Sequence, residues 1–247
     1  MSSLKRKLKS SRFVALIALF AALNIVSDSI TSLPELPSGV WYSWNFMVEP
    51  LTGIILGPMA GFSATFIGVM IGHYINFVDV YEFLFTLGAP LGAIFSGLLF
   101  RKKWKPVLIY YSALLIAYFI SPIAWQLPIW GMWDTYLAYI VLLFAIFKIR
   151  KDRFKHESKC LLYTIVFCAF IGLEADVLFR IFIFVPCQTY KLFYGFDIES
   201  LQLIWIVGAF GTPLKVAIST FVTTLIGHPL MKTIKKMNLF EIHKTQS

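Results

Sequence analysis

Apolar runs of helix length follow one another along almost the whole chain, and few charges interrupt them. A helix that crosses the roughly 30 Å hydrocarbon core of a bilayer needs about 20 such residues. Eight candidate spans emerge on this measure, at residues 13–30, 40–57, 59–77, 82–100, 106–124, 135–149, 160–185 and 201–231. The last is long enough to tilt or to emerge, and the sixth is short. Of the 247 residues, 58% are hydrophobic and only 14% charged. A soluble domain carries about 25% charged residues. With a mean hydropathy of +0.76, one soluble core has no room for so much apolar surface. The pattern excludes a disordered chain, a secreted disulfide scaffold and a soluble enzyme, and it predicts an all-α, polytopic membrane protein.

The net charge of +9 invites a nucleic-acid reading, but its distribution argues for topology instead. Nineteen of the 22 Lys and Arg fall in four clusters, at residues 5–12, 101–105, 148–159 and 232–244. Basic loops stay on the cytoplasmic side. With the N-terminus inside, successive spans alternate so that all four clusters land on one face, and both termini are cytoplasmic. The opposite loops then carry Asp28, Glu35, Asp79, Glu82, Asp134, Asp197 and Glu199, together with Trp41, Trp44, Trp125, Trp130 and Trp133. Tryptophans at that level form an interfacial belt. The domain plan is a basic N-terminus (1–12), four spans (13–105), a hairpin (106–148), a basic loop (149–159), two spans (160–232) and a tail (233–247). The run after Arg12 lacks a small-x-small cleavage site and reads as a retained first helix. Cys160, Cys168 and Cys187 form no CxxC, so neither a disulfide framework nor a zinc site is expected.

Small residues mark close helix contacts, because packing rather than hydrophobicity drives association in lipid. Ala15, Ala18 and Ala22 share one face of the first span. Gly53, Gly57 and Gly61 recur at steps of four, followed by Ala64, Gly68 and Gly72, and then by Gly88, Gly92 and Ser96. The second, third and fourth spans are therefore expected to pack tightly, with Gly57-Pro58 as the turn between two of them.

The basic N-terminus, the alanine-faced first helix and the turn Leu56-Gly57-Pro58-Met59-Ala60-Gly61 resemble the substrate-binding S components of energy-coupling factor transporters. The segment from Thr212-Pro213-Leu214-Lys215 to Pro229-Leu230-Met231-Lys232 resembles that family's last helix. The resemblance covers roughly residues 10–105 and 160–236. It implies a six-helix core, so the hairpin at 106–148 is an added pair. It also implies a multi-pass plasma-membrane protein that captures a vitamin-like molecule from outside. Such a protein docks on a transmembrane coupling subunit that carries two ATPases, here through Ala15, Ala18 and Ala22. Residues 31–39 resemble the loop that covers the family's substrate cavity.

Ionisable groups inside a membrane cost about 2.5–3.5 kcal/mol each on insertion scales, so each is a functional candidate. Glu49, His73, Glu174, Asp176, Arg180 and Lys215 qualify. Asp176 and Arg180 are four apart and can pair along one helix. Lys215 on its flexible stem can reach Glu174 or Asp176. Glu49 beside Pro50 suggests a kinked helix with a carboxylate at the bend; ligand binding and a structural hydrogen bond remain equal readings for it. Asn24, Asn45, Tyr74, Asn76, Gln126, Gln188, Gln202 and Trp205 add polar and aromatic groups to the outward half. A small heterocycle is held by such aromatic faces and a few placed hydrogen bonds. The expected binding set is Asn45, Glu49, Tyr74, Glu174, Asp176, Arg180, Trp205 and Lys215.

The sequence has no GxxxxGK[ST], HExxH or GxSxG motif, so no catalytic role, metal or cofactor is expected and any ATP-driven step needs separate subunits. The alternative is an autonomous secondary transporter with Glu49, Glu174 or Lys215 as a proton relay. A lipid-acting membrane enzyme using His73, Glu174 and Asp176 is a weaker third reading, because those groups have no recognised spacing.

Overall fold

The computed structural model describes residues 2–30, 43–76, 80–150 and 158–236. These residues are almost entirely helical and contain no extended strand. Ten α-helices follow in order: α1 (Ser2–Ser29), α2 (Glu49–Leu56), α3 (Pro58–Ile75), α4 (Glu82–Thr86), α5 (Gly88–Phe100), α6 (Trp104–Ile120), α7 (Trp133–Arg150), α8 (Ser158–Phe184), α9 (Thr189–Leu192) and α10 (Ile198–Lys236). Six helical stretches are long and apolar enough to cross a membrane, at Ser11–Ser29, Pro58–Ile75, Glu82–Phe100, Ile129–Phe147, Leu161–Phe184 and Ile198–Ile234; the apolar helix Trp104–Ile120 is shorter.

Two of the eight expected full spans are corrected: the span expected at 106–124 is the 17-residue α6, and the described residues 43–57 do not form a membrane-length helix. A 3-10 turn, Trp44–Met47, starts at Ser43, whose hydroxyl accepts the Asn45 N–H, and α2 follows with only eight residues. At 1.5 Å per residue α2 rises about 12 Å, so it begins deep inside the bundle. Pro50 sits in its first turn, where a missing N–H costs nothing. The residue thus starts a helix rather than kinking one, and Glu49 is placed at that buried start.

Helix direction follows from the close contacts. Along α1 and α3, Gly68 meets Asn24 and Gly72 meets Asp28, so these helices run parallel. Along α2 and α5, Gly92 meets Glu49, Gly97 meets Gly53 and Gly57 meets Arg101, again parallel. Gly88 meets Asp176 and Gly92 meets Gly172, which makes α5 and α8 antiparallel. Gly57, with φ of 87°, makes the tight turn between α2 and α3, and Pro58 opens α3. Few residues other than glycine tolerate that φ. The ends that carry the basic clusters therefore gather on one side of the bundle. There Arg101 donates from Nη2 to the Leu56 carbonyl at 3.3 Å, and burial lowers its guanidinium from the ordinary value.

The glycine steps do what their spacing predicts. A Cβ on Gly53 would overlap the Ala93 carbonyl, and one on Gly97 would lie 2.6 Å from the Gly53 oxygen. Helices α2, α3 and α5 meet backbone to backbone along this seam. The hairpin of α6 and α7 is an integral wall rather than an appendage. Tyr110 and Tyr111 of α6 donate to the Ala175 and Ile171 carbonyls of α8, at 2.9 and 2.6 Å. The two phenol hydroxyls thereby find acceptors inside an apolar layer, where an unmade bond is costly.

Helix α10 has 39 residues, or about 58 Å at helical rise, and extends beyond a bilayer core as the sequence suggests. Asp197 caps its start, accepting the Ser200 N–H at 2.8 Å, and that bond holds the exposed carboxyl below its usual range. Pro213 lies inside α10 and removes the donor that the Ala209 carbonyl would use. The Trp133 indole fills the gap, donating to Ala209 at 3.0 Å.

Candidate functional site

Three polar regions lie within the bundle, and different helices build each. The first is a chain of hydrogen bonds. Ser43 donates to Asp28 Oδ1 at 2.8 Å, Asp28 Oδ2 lies 2.7 Å from His73 Nδ1, and His73 Nε2 lies 2.6 Å from Thr86 Oγ1. The Thr86 hydroxyl also contacts the Glu82 carbonyl at 2.9 Å. The chain joins α1, α3, α4 and the entry to the Trp44 turn. Gly72 makes it possible, because a Cβ there would lie 2.6 Å from the Asp28 carboxylate. The sequence reading placed Asp28 in an outer loop, whereas it is buried within α1.

The second region is a charged core at the start of α2. A void of about 20 Å³ is lined by Asn45, Glu49, Asp176, Arg180 and Lys215, with Asp28 and His73 at its edge. That volume is close to the room one water needs. Arg180 donates from Nε to Asp176 Oδ1 at 2.7 Å, as the four-residue spacing predicts. Gly88 and Gly92 admit the acids: a Cβ on either would overlap Asp176 or Glu49. Both side-chain amide atoms of Asn45, Glu49 Oε1 and Asp176 Oδ2 are buried without a hydrogen-bond partner. Lys215 does not form the ion pair with Glu174 or Asp176 that the sequence suggested; no such pair occurs among the described residues. Its ammonium instead lies over the Phe46 ring, 5.4 Å from the centroid, a favourable cation–π geometry.

The third region is a cavity of about 220 Å³ at the end opposite the basic clusters. Its walls come from α4, the 3-10 turn Ile129–Met132, α8, α10 and the segment after α9. Phe85, Phe184, Tyr194, Phe196 and Trp205 provide aromatic surface, and Glu82 and Asp134 stand on the walls. Arg180 and Lys215 line both this cavity and the charged core, so they form the floor between the two. Trp205 stacks on Tyr118 with centroids 5.8 Å apart and planes 3° from parallel. Tyr194 donates to Glu82 at 3.0 Å.

Asn45, Glu49, Asp176, Arg180, Lys215 and Trp205 are therefore brought around two adjoining spaces. Two expected members fall elsewhere. Tyr74 is 77% exposed on the outside of α3. Its helix turns Gly72 and His73 inward, and Tyr74, one position on, points away. Glu174 lines a separate lateral apolar groove between α7, α8 and α10 and accepts the Thr135 hydroxyl at 3.2 Å. Three groups were missed: Asp28, Asp134 and Glu82, all read as loop acids. Asp134 and Glu82 lie in the first turns of α7 and α4, where acids are favoured by the helix dipole. Their positions at the very start of an apolar run, Glu82 as the first residue of 82–100 and Asp134 just before 135–149, were the only signal.

Ala15, Ala18 and Ala22 are exposed on α1. The helix turns Phe20, Asn24 and Asp28 toward the bundle instead. Residues 31–39, Trp41 and Asp79 fall outside the described residues, as does most of the basic stretch 148–159. No group of three or more metal-ligating side chains occurs among the described residues.

No family model matches the chain, and no solved structure matches it. An uncharacterised protein of Methanocaldococcus jannaschii is 23% identical over 178 residues, which is 70% of this chain and 60% of that relative. The chain thus spans less than two thirds of the length of the curated relative it matches.

Proposed function

We propose that this protein is the substrate-capture subunit of an energy-coupling factor importer in the plasma membrane. It takes a small vitamin-like molecule into the 220 Å³ cavity from outside and docks through α1 on a coupling subunit with two ATPases. The observation that carries the reading is a separation of roles along the bundle. The cavity lies at one end, while the exposed stripe of Ala15, Ala18 and Ala22 lies toward the basic end of α1. Small residues on a lipid-facing surface permit the close approach of another helix. The volume is below the roughly 300–1,000 Å³ of drug-sized sites, which suits a micronutrient. The charged floor and aromatic walls supply the mixed surface that such a molecule requires.

The test is co-expression with a coupling module. Ala18→Trp is expected to abolish co-purification and ATP-dependent uptake while ligand binding to the isolated protein persists. Normal uptake by the variant refutes the docking role.

A proton-driven secondary transporter is the second reading, favoured by the Ser43–Asp28–His73–Thr86 chain. Uptake by the protein alone in proteoliposomes, under a proton gradient and without ATPases, would select it.

A further inference from the structure

Among the charged groups around the 220 Å³ cavity, Lys215 differs from the others in having no hydrogen bond or ion pair among the described residues, whereas each of the others makes at least one, although Asp134 Oδ2 is itself buried without a partner. Arg180 is bonded to Asp176 at 2.7 Å. Glu82 accepts the Tyr194 hydroxyl. Asp134 accepts the Thr135 N–H at 3.0 Å. Lys215 is only 5% exposed, and no carboxylate lies within ion-pairing distance of it among the described residues. Its sole polar-type contact there is the face of Phe46. A buried charge without a partner is expensive in an apolar bundle, and a π-face offsets only a fraction of that cost. The ammonium nevertheless lines the cavity floor, beside the part-exposed guanidinium of Arg180. Two cations therefore face one end of a chamber whose walls are mostly aromatic and aliphatic.

A second observation points the same way. The indole N–H of Trp205, on the same helix as Lys215, is buried without an acceptor, and Trp205 lines the same cavity. The unspent groups of α10 at this cavity are thus donors, and what they lack is an acceptor. Glycine helps to form the space, because nothing lies within 4 Å of where a Cβ of Gly208 would stand. Gly208 is about one helical turn from Trp205 and two from Lys215, so the three share a face.

We propose that the cavity takes a planar aromatic or heteroaromatic carboxylate, with Lys215 as the residue that reads the carboxylate. The ring lies among Trp205, Phe184 and Tyr194, and the carboxylate reaches the floor, where Lys215 pairs with it and Arg180 adds a second positive end. A charge-assisted bond to a carboxylate is about twice as strong as a neutral one. A neutral carboxamide of the same shape supplies an acceptor but no charge, so it leaves the ammonium uncompensated. The inference rests on the capture reading for its biological sense but not for its test.

The experiment uses the full chain purified in detergent and follows thermal stability and tryptophan fluorescence. The ligands are benzoate and indole-3-carboxylate, each against its matching carboxamide. At least one carboxylate is expected to raise the melting temperature and quench fluorescence, with its amide at least tenfold weaker. Lys215→Met is expected to erase that preference and Lys215→Arg to retain it. Equal binding of acid and amide by the wild-type protein overturns the proposal, and so does the absence of binding by all four compounds. Unchanged carboxylate preference in Lys215→Met overturns the role of Lys215. The wild-type comparison stands even if a variant fails to fold. Carboxylate binding without ATP-dependent uptake in the presence of any coupling module would leave this inference standing and remove the capture reading. Uptake of neutral compounds alone would do the reverse.

Discussion

Gly53 and Gly208 are both helical glycines, yet they serve opposite ends of the architecture. Gly53 sits where α2 and α5 touch through their backbones, and a Cβ would overlap the Ala93 carbonyl. Gly208 faces open space in the cavity wall, with nothing within 4 Å of a Cβ. On one side of the bundle glycine removes space, and on the other its small size preserves it. The polar groups divide in the same way. On the seam side Asp28 and His73 are mutually bonded, whereas on the cavity side Lys215 has no carboxylate within ion-pairing distance among the described residues. Backbone-to-backbone packing and the bonded Asp28–His73 chain characterise the scaffold half, and open volume with the unspent donors of Trp205 and Lys215 characterises the half that holds the candidate site.

The sharpest way to break this contrast is Gly53→Val. Ordinary overpacking costs about 1–3 kcal/mol, but here the obstacle is backbone, which cannot rotate away. Loss of the monodisperse peak in size-exclusion chromatography is expected, while Gly208→Ala keeps it. If Gly53→Val also kept it, the seam would not be the rigid half.

Asp28→Ala should have the next largest effect. Removing the carboxylate leaves the buried His73 ring and the Ser43 hydroxyl without their acceptor, and each unmet buried polar group costs about 1–3 kcal/mol. Thermal unfolding in detergent would read this as a large fall in melting temperature. Lys215→Met breaks no hydrogen bond or ion pair among the described residues, although Glu49 and Asp176 share its void, and it is expected to lower the unliganded melting temperature by less than Asp28→Ala does. Equal losses in the two variants would erase the distinction between satisfied and waiting charges.

Trp133→Phe sharpens the comparison at smaller scale. It removes the donor to the Ala209 carbonyl at the edge of the cavity and should cost about 1 kcal/mol, a shift of a few degrees in the same assay.

Much of the scaffold half was legible in the sequence, since glycine at steps of four and a Gly-Pro turn state a geometric requirement directly. Charge clusters, likewise, predicted the alternating direction of the helices, and the close contacts follow that order. The short α2 was not legible. Hydropathy runs on smoothly through residues 40–57, and only Ser43 and Pro50 hint that a helix starts so late. The acids were misplaced for a related reason. Asp28 and Asp134 lie at the ends of apolar runs, and hydropathy along one dimension cannot tell a side chain entering a loop from one turned back into the bundle. Tyr74 failed in the opposite sense: its polarity suggested the interior, but its place one step past His73 turns it outward. Lys215 was found as an intramembrane charge, yet the sequence suggested a partner that distance denies it.

The bond from Trp133 to the Ala209 carbonyl has a mechanical meaning. Pro213 makes α10 able to bend at that level, and an unmet carbonyl in hydrocarbon would resist any posture that exposed it. By supplying the missing donor, the first residue of α7 acts as a pivot pin. The limb of α10 past the joint, with Lys215 near its start, cannot swing away from α7 without breaking that bond.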